Sequence, residues 1–255
     1  MATVNRFPPG AIIVVSGELS RFPAFTVSLA RQMQPTGSTV FWMTGVSIAH
    51  NLNKGITKGM EQGFQWFWLL GDDHVFPPDL LLRLLAHQLP CVAPLCVYRR
   101  KPFFPIVFRE RRTNGTFVPW QPSEGLPTTG VHEVAACSGA GMLIQRQVFE
   151  KMSEPWFEVG QIGTQYLCDD VYFQGKAADL GFPMAVDFDS AIGHITPMAL
   201  WPVRQTEGGW GIYVDATAGF PDSEDEPDFF PTTDGMEYAR ECCDNYAIFR
   251  RRFQL

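Results

Sequence analysis

Unbroken apolar runs alternate with amphipathic segments along the first part of the chain. An apolar run without alternation is typical of a strand that is buried on both faces, as in a parallel sheet covered by helices. The runs predict strands at residues 11–15, 39–43, 64–70 and 91–97. Apolar positions at helical spacing predict helices at residues 25–34, 48–62 and 79–87. Strands that alternate with helices indicate an α/β fold with a mostly parallel sheet and right-handed crossovers.

The third predicted strand ends at two adjacent carboxylates and an imidazole, which belong to Asp72, Asp73 and His74. Open α/β sheets bind their ligands at the carboxyl ends of the strands, so this sequence marks a candidate site. Two oxygen ligands at that position suit Mg²⁺ or Mn²⁺ that holds a diphosphate. The alternative interpretation is a solvated loop in which Asp79 serves only as the N-cap of the next helix.

The second half of the chain is less regular and carries further polar motifs. Asp169 and Asp170 open a predicted helix, and His194 follows a strand predicted at residues 184–189. Residues 138–141 form a predicted turn of small side chains. Beyond His194 the sequence is rich in glycine, proline and acidic residues, which predicts a lid or a wrapping tail.

Composition narrows the classes of function. With 255 residues, of which 45% are hydrophobic, the chain is long enough for one large core or two coupled lobes. The net charge of −7 opposes wholesale nucleic-acid binding. The apolar segments are too short to span a membrane, which disfavours synthases that extrude polysaccharide through their own membrane helices. The cysteines lack Cys-x-x-Cys spacing and residues 1–10 lack a secretory signal, so we expect a cytoplasmic protein with free thiols.

The polar residues at the element ends suggest one metal site and one proton acceptor. A metal site needs ligands from separate elements, and Asp73 and His194, both at strand ends, could share one divalent ion. A lone histidine after a strand is more often structural, and that alternative stays open for His194. In the functional interpretation of the acidic pair, Asp170 accepts a proton from a hydroxyl and Asp169 orients it. Plain capping of the helix N-terminus explains both carboxylates equally well.

The order of these motifs resembles that of the GT-A-fold glycosyltransferases of the family 2 type. The resemblance spans residues 12–195 and comprises a strand that ends in an acidic doublet, then Phe-Pro-Pro-Asp-Leu-Leu, Ser-Gly-Ala-Gly-Met-Leu-Ile, Asp-Asp-Val-Tyr-Phe and Gly-His. It implies a Rossmann-like sheet flanked by helices, with an irregular C-terminal part on the acceptor side. It also implies a metal-dependent hexosyltransferase, which moves a sugar from a nucleotide-diphosphate sugar to an acceptor hydroxyl. Inversion is the expected outcome, and a retaining route stays open.

The resemblance also implies roles for individual residues. Asp73 resembles the final residue of the family's Asp-x-Asp motif, which binds Mn²⁺ or Mg²⁺ on the donor diphosphate, and His194 resembles the histidine that completes the metal shell. Asp170, with Asp169, resembles the catalytic base. Gly71 stands where the family has the first Asp of the motif, which predicts weaker binding of the nucleoside ribose. Further expected contacts are with the donor, by Ser16, Thr44, Asn51 and Asp72, and with the acceptor, by Gly139, Ala140, Gly141 and Trp156.

Three consecutive parts follow from this resemblance. Residues 1–97 are expected to bind the nucleotide sugar, residues 98–200 to form the acceptor-binding and catalytic half of the same domain, and residues 201–255 to form a tail or lid. The acceptor is expected to be a glycan or a small molecule. A modified DNA base is an alternative, because arginines and phenylalanines interleave at residues 99–112 as in surfaces that bind single strands.

Two further protein classes, and simpler roles for single residues, stay open. A nucleotidyltransferase would share the sheet and the acidic site, but residues 16–19 lack the basic, Gly-rich phosphate loop of that class. A non-catalytic sugar- or nucleotide-binding protein with a degenerate Asp-x-Asp site would keep the fold without needing Asp170. Ordinary capping by Ser16 or Thr44 and core packing by Trp156 would account for those three residues equally well.

Overall fold

A computed structural model describes residues 3–4, 6–17, 22–45, 47–99, 104–120, 125–162, 165–196, 199–204 and 210–215. Contacts divide the chain into two units, Met1–Ile195 and Thr196–Leu255. The helices are α1 (Pro23–Arg31), α2 (Ile48–Glu61), α3 (Leu80–Ala86), α4 (Arg146–Lys151) and α5 (Asp169–Asp179). The strands of the first unit are β1 (Thr3–Val4), β2 (Ala11–Ser16), β3 (Gln34–Pro35), β4 (Thr39–Thr44), β5 (Trp66–Gly71), β6 (His74–Val75), β7 (Cys91–Leu95), β8 (Val107–Arg111), β9 (Phe117–Pro119), β10 (Val131–Val134), β11 (Ala136–Cys137), β12 (Leu143–Gln145), β13 (Gly160–Ile162), β14 (Gln165–Leu167), β15 (Met184–Ala191) and β16 (Gly193–His194).

Seven strands form the central sheet of the first unit in the order β10-β15-β7-β12-β5-β2-β4. The pairs β2–β4, β2–β5 and β7–β15 are parallel, whereas β5–β12, β7–β12 and β10–β15 are antiparallel. The α/β fold class is therefore confirmed, but the sheet is mixed instead of mostly parallel. The main reason is β12, which enters between β5 and β7 against their direction. A short apolar run carries no sign of the direction in which it pairs.

The apolar run of β5 is buried on both faces of the sheet. Trp66, Trp68 and Leu70 pack with α1 and α3 in one core cluster, and Phe67 and Leu69 pack with α2, α4 and α5 in another. Successive side chains of a strand point to opposite faces, so a strand between two helical layers must be apolar throughout. Gly71, the last residue of β5, is the first residue of this run that is only partly buried, and the polar residues 72–74 follow it.

Two glycines let α2 lie close to the sheet. A Cβ atom on Gly59 would lie 2.5 Å from Cε1 of Phe67 and 3.1 Å from Cβ of Ala11, and one on Gly55 would lie 2.7 Å from Cγ2 of Ile13. These neighbours are fully buried and have no solvent into which they can move. Small residues four positions apart therefore set the distance between α2 and the sheet, and with it the position of the N-terminus of α2 at the edge of the sheet.

The second unit is described through one hairpin, in which β17 (Ala199–Arg204) pairs antiparallel with β18 (Trp210–Asp215). Residues 216–255, which make up most of the predicted tail, lie outside the described residues. The three-part division of the chain stays a prediction. Among the described residues, no helix combines the length and the hydropathy of a transmembrane segment.

Replacing Gly59 with Ala is expected to destabilise the fold. The added methyl group overlaps the ring of Phe67, and the cost of overpacking exceeds the roughly 1 kcal/mol that Ala gains over Gly inside a helix. We expect the free energy of unfolding, measured by chemical denaturation, to fall by about 1–2 kcal/mol. Lys58→Ala, on the exposed face of the same helix, is the control and should change it by less than about 0.5 kcal/mol. Equal or greater stability of the Gly59 variant would mean that α2 has room to move off the sheet.

Candidate functional site

A cleft of about 270 Å³ lies at the carboxyl edge of the central sheet, where β2 and β5 end and α2 and α5 begin. Apolar side chains of β2, β5 and α2 form part of its wall. Two polar groups also line the cleft. The candidate metal-binding group comprises the expected ligands Asp73 and His194 together with His74 and Arg99. The acidic group comprises Asp169 and Asp170 with the adjoining Gly139. The cleft thus brings together Asp73 and His74 after β5, Asp169 and Asp170 at the start of α5, and His194 after β15.

A short strand pair builds the metal-binding group. β6 pairs antiparallel with β16, and His74 and His194 are direct partners whose ring centroids lie 5.1 Å apart. Gly193 is required in this pair, because a Cβ atom there would lie 2.6 Å from Cγ2 of Val75. The Gly-His sequence after β15 therefore has a packing reason, and the pairing brings two distant segments of the chain to one place.

The carboxylate of Asp73 is the centre of the metal-binding group. Its Oδ2 atom accepts a hydrogen bond from Nη1 of Arg99 at 2.8 Å and lies 3.4 Å from Nε2 of His194. Its Oδ1 atom lies 3.6 Å from Nε2 of His74. Burial raises the pKa of Asp73, but the hydrogen bond with His194 and the surrounding positive charge lower it more, to about 2. Asp73 is therefore an anion held among three nitrogen-bearing side chains.

His194 presents one ring nitrogen to Asp73 and has the other tied to the backbone. Its Nδ1–H group donates to the carbonyl oxygen of Val97 at 3.1 Å. Burial lowers the pKa of His194, but its hydrogen bonds with Asp73, Cys96 and the backbone of Val97 together raise it more, to about 9. A bond from Nδ1–H to a carbonyl oxygen is the arrangement that orients metal-ligating histidines. It leaves Nε2 as the ligand atom once a metal displaces its proton.

His74 has the reverse arrangement. Its Nδ1 atom accepts a hydrogen bond from the backbone N–H of Gly71 at 3.0 Å, which places the proton of the neutral ring on Nε2. Burial lowers the pKa of His74 to about 4, although the charge of Asp73 opposes that shift. The ring is therefore neutral near pH 7 and has no lone pair left for a metal. Its Nε2–H group faces Asp73 and orients that carboxylate.

Asp73 and His194 together fit a divalent cation. The ligand atoms of Asp73, His74 and His194 lie within 4.8 Å of one another, and the proton positions favour the first and third of these residues as ligands. One imidazole nitrogen with carboxylate oxygens suits a transition metal such as Mn²⁺, while the carboxylate also suits Mg²⁺. The structure thus brings together the two residues that the sequence analysis expected as ligands.

The side chains of Asp73 and His74 occupy the space where a side chain at position 71 would lie. A Cβ atom at this position would lie 2.7 Å from Oδ1 of Asp73 and 3.0 Å from Cε1 of His74. An aspartate at position 71 is therefore incompatible with the present position of the imidazole. The departure from the Asp-x-Asp pattern is coupled to the buried histidine three residues later.

The two carboxylates of the acidic group have different surroundings. Asp170 accepts hydrogen bonds from the backbone N–H of Gly139 at Oδ2 and from that of Val171 at Oδ1, both at 2.8 Å. Asp169 has a buried Oδ2 atom without a hydrogen-bond partner among the described residues. Burial, followed by the charge of Asp170, raises the pKa of Asp169. The two carboxylates therefore differ in hydrogen bonding and in pKa, and the expected role of Asp170 as the proton acceptor stays a prediction.

The small-residue turn meets the acidic group directly. A Cβ atom on Gly139 would lie 2.9 Å from Cβ of Asp170, so glycine permits the close approach of the turn to α5. Gly139 and Ala140 line the cleft, and their contacts with an acceptor stay a prediction. Gly141 has a φ angle of +69° and shapes the turn behind them.

Trp156 does not reach the cleft. It is 4% exposed, and its indole N–H donates to the carbonyl oxygens of Phe149 and Met152 in the core. The expected acceptor contact of Trp156 is therefore wrong, because the ring has no face open to a ligand. The neighbouring Phe157 lines the cleft instead.

Of the residues expected to contact the donor, Ser16, Thr44 and Asp72 lie at or next to the ends of β2, β4 and β5, and Asn51 lies in the first turn of α2. The hydroxyl of Ser16 donates to Oδ2 of Asp72, which links the ends of β2 and β5. Thr44 is exposed at the end of β4. Asn51 is 3% exposed, and its amide bonds to the backbone of Gly45. Asn51 therefore stabilises the turn before α2, which corrects its expected donor contact, and the donor contacts of the other three residues stay predictions.

The basic and aromatic segment is divided between two places. Arg99 lies in the cleft beside Asp73, whereas Arg111 forms an ion pair with Asp179 of α5. Residues 100–103 lie outside the described residues. The sequence analysis missed the role of Arg99, although its position just beyond β7, at the same edge of the sheet as Asp73, could have revealed it.

Comparison with known proteins identifies the fold. No protein-family model and no curated protein sequence matches the chain. A197 from STIV is similar in structure, with 13% identity, a TM-score of 0.53 and coverage of 85% of this chain and 98% of that one. GalNAc-T7 with UDP, GalNAc and Mn²⁺ has 12% identity, a TM-score of 0.50 and coverage of 74% and 44%.

A third similar structure is the mannosyltransferase PcManGT from Pyrobaculum calidifontis in complex with GDP-Man and Mn²⁺, with 14% identity, a TM-score of 0.44 and coverage of 77% of this chain and 59% of that one. The chain thus spans less than two thirds of the length of GalNAc-T7 and of PcManGT. At these identities the similarity concerns the fold. The chain has the α/β architecture of the GT-A glycosyltransferases, as the sequence resemblance implied.

Gly71→Ala is expected to disturb the metal-binding group and to lower the melting temperature. The added Cβ atom overlaps the Asp73 carboxylate and the His74 ring, and the expected loss is about 1–3 kcal/mol, or roughly 3–8 °C in a thermal melt. Gly17→Ala is the matched control, because a Cβ atom there meets nothing within 4 Å. Equal melting temperatures of the two variants would show that His74 can leave its position at no cost.

Proposed function

We propose that the chain is a metal-dependent glycosyltransferase of the family 2 type, which transfers a sugar from a nucleotide-diphosphate sugar to an acceptor hydroxyl. One observation carries the proposal: two side chains suited to hold a metal and a carboxylate with a raised pKa line the same cleft. The fold supports it, because open α/β sheets bind ligands at this edge. GalNAc-T7, which has a similar fold, is described with UDP, GalNAc and Mn²⁺.

The donor is proposed to bind at the ends of β2 and β5. Asp73 and His194 would hold Mn²⁺ or Mg²⁺, and the bound cation offsets negative charge on the departing nucleoside diphosphate. Ser16 and Asp72 form a hydrogen-bonded pair at these strand ends. This pair is suited to face the ribose in place of the family's first motif aspartate, for which this chain has Gly71. The nucleoside is thereby proposed to lie on the β2 side of the metal ligands.

The proton-transfer step is assigned to Asp169. The carboxylate of Asp169, which lines the cleft, takes the proton of the acceptor hydroxyl while the hydroxyl oxygen attacks the sugar carbon in line with the departing diphosphate, which inverts the configuration. Burial and the neighbouring carboxylate raise the pKa of Asp169 and so increase its affinity for that proton. Asp170 has a positioning role, because its bond to Gly139 holds the turn against α5.

The acceptor is proposed to be a glycan or a small molecule. Ile48, which is 61% exposed, contributes apolar wall to the cleft that contains the acidic group. An apolar wall beside carboxylates suits the carbon-bound face of a sugar ring or of a small apolar group. The intramolecular ion pair of Arg111 removes one cation from the surface that a modified DNA base would need.

A nucleoside diphosphate together with Mn²⁺ is expected to raise the melting temperature, since a ligand at 100 times its dissociation constant stabilises by about 2.7 kcal/mol. A screen of different nucleoside diphosphates with and without Mn²⁺ would identify the base. Asp73→Asn is expected to abolish the shift that needs metal. Asp79→Asn, which removes the charge of a partly buried ion pair with Arg83, is the control and should retain it. A shift that survives without metal, or in Asp73→Asn, contradicts the proposed metal site.

Asp169→Asn is expected to lower the turnover number about 10²–10⁴-fold while donor binding persists, because it removes the proton acceptor. Turnover is measured as release of nucleoside diphosphate from the stabilising nucleotide sugar, with water or added sugars as acceptor. Asp170→Asn should lose less, because its amide oxygen can still accept the bond from Gly139. A greater loss in Asp170→Asn would return the role of base to Asp170.

The same assay separates the alternative functions. Donor binding without turnover in the wild type would favour the non-catalytic binding protein. Release of pyrophosphate from a nucleoside triphosphate, with no release of nucleoside diphosphate from a nucleotide sugar, would favour the nucleotidyltransferase.

A further inference from the structure

Arg99 contacts the same carboxylate oxygen that faces the proposed ligand His194. Its Nη1 atom donates to Oδ2 of Asp73 at 2.8 Å, and Nε2 of His194 lies 3.4 Å from that oxygen. The contact joins two separate elements, because Asp73 follows β5 and Arg99 follows β7. The side chain of Arg99 is 50% exposed and that of Asp73 is 21% exposed. The anion therefore lies within the cleft and the cation reaches it from the rim.

We propose that Arg99 is an internal counter-ion, which holds the metal site closed in the absence of metal and binds the donor diphosphate after the metal has displaced it from Asp73. This inference rests on the proposed function, because it requires that Asp73 and His194 bind a divalent cation together with a nucleotide.

Metal and guanidinium compete for one oxygen. A cation held by Asp73 and His194 would replace the proton that Nε2 of His194 directs at Oδ2 of Asp73, and that oxygen already accepts from Arg99. A guanidinium is charged at every ordinary pH, so deprotonation cannot relieve the conflict. Two cations on one carboxylate oxygen repel each other, and the partial burial of Asp73 limits screening by water. Metal binding must therefore move Arg99 away from Oδ2.

The displaced side chain can reach a diphosphate from where its backbone is held. The N–H of Tyr98 donates to the carbonyl oxygen of Phe104 at 3.0 Å, and Val97 pairs with Pro105, so a local hairpin supports Arg99 at the rim of the cleft. A guanidinium presents a planar fork of donors that matches two phosphate oxygens. A nucleoside diphosphate also carries more negative charge than one divalent cation neutralises, which leaves a place for this further cation.

This exchange couples the two ligands. Metal alone must break the contact between Arg99 and Asp73, whereas metal with a nucleoside diphosphate breaks it and gains a contact with phosphate in return. The affinity for each ligand should therefore rise when the other is bound. Removal of the Arg99 side chain should have opposite effects: tighter binding of metal alone and weaker binding of the nucleotide to the metal-loaded protein. A merely structural role would not produce effects of opposite sign.

The test measures the two affinities separately on the full chain. Binding of Mn²⁺ alone is measured at low ionic strength from the electron paramagnetic resonance signal of free Mn²⁺. Binding of the nucleoside diphosphate that stabilises the wild type is measured by calorimetry at saturating Mn²⁺. Arg99→Ala is expected to bind Mn²⁺ about fivefold more tightly and the nucleotide about tenfold more weakly.

Two further variants make the result specific. Arg99→Lys keeps the charge but loses the fork, so its Mn²⁺ affinity should stay near that of the wild type while its nucleotide affinity falls between those of the wild type and Arg99→Ala. Arg83→Ala removes a half-buried arginine of α3 that pairs with Asp79, and it should leave both affinities unchanged.

Each outcome decides between the proposals. Unchanged or weaker Mn²⁺ binding in Arg99→Ala overturns the counter-ion role, and unchanged nucleotide binding overturns the diphosphate role, while the proposed function stands if the wild type binds both ligands. Failure of the wild type and of Arg99→Ala to bind either ligand overturns the proposed function and this inference together. Mn²⁺ binding by Arg99→Ala alone would support the closed state of the wild-type site.

Discussion

The partly buried carboxylate of Asp73 is the constraint on which the rest of the site depends. A charge that leaves water must be compensated by opposite charge and hydrogen bonds. Here the compensation comes from His194, Arg99 and His74, which lie on segments that follow β15, β7 and β5. The backbone adds to this convergence, because the N–H of Ile195 donates to the carbonyl oxygen of Asp73 at 2.7 Å. The strand order of the central sheet therefore determines which charges meet in the cleft.

Backbone polarity then separates side chains of the same type. His74 and His194 are strand partners, yet Nδ1 of the first accepts from an N–H and Nδ1 of the second donates to a carbonyl oxygen. The first histidine consequently has its proton on the nitrogen that faces Asp73, and the second can offer a lone pair there. The same principle separates Asp169 from Asp170, since the N–H of Gly139 binds only the latter among the hydrogen bonds of this turn. Neighbouring residues thereby acquire different chemistry.

The accuracy of sequence reasoning differed between the elements for identifiable reasons. Both faces of β5 are buried, and this leaves an apolar run that is visible without any structure. Asp73 and Asp169 stand at element ends, where the apolar pattern stops, so their selection as candidates needed only local information. Trp156 failed as an acceptor contact because an aromatic side chain looks the same in sequence whether it packs in the core or faces a ligand.

The sequence by itself determined the alternation of strands and helices, the edge of the sheet at which the candidate site lies, and the acidic and imidazole groups available there. These features are local, because the burial of an element and the position of its end are both visible in the pattern of consecutive residues. Only the tertiary structure decided the antiparallel entry of β12, the burial of Asn51 and the position of Arg99 at Asp73. It also decided the proton positions on the two histidines. Each of these depends on a hydrogen-bond or strand partner that folding supplies, and a linear pattern contains no record of that partner.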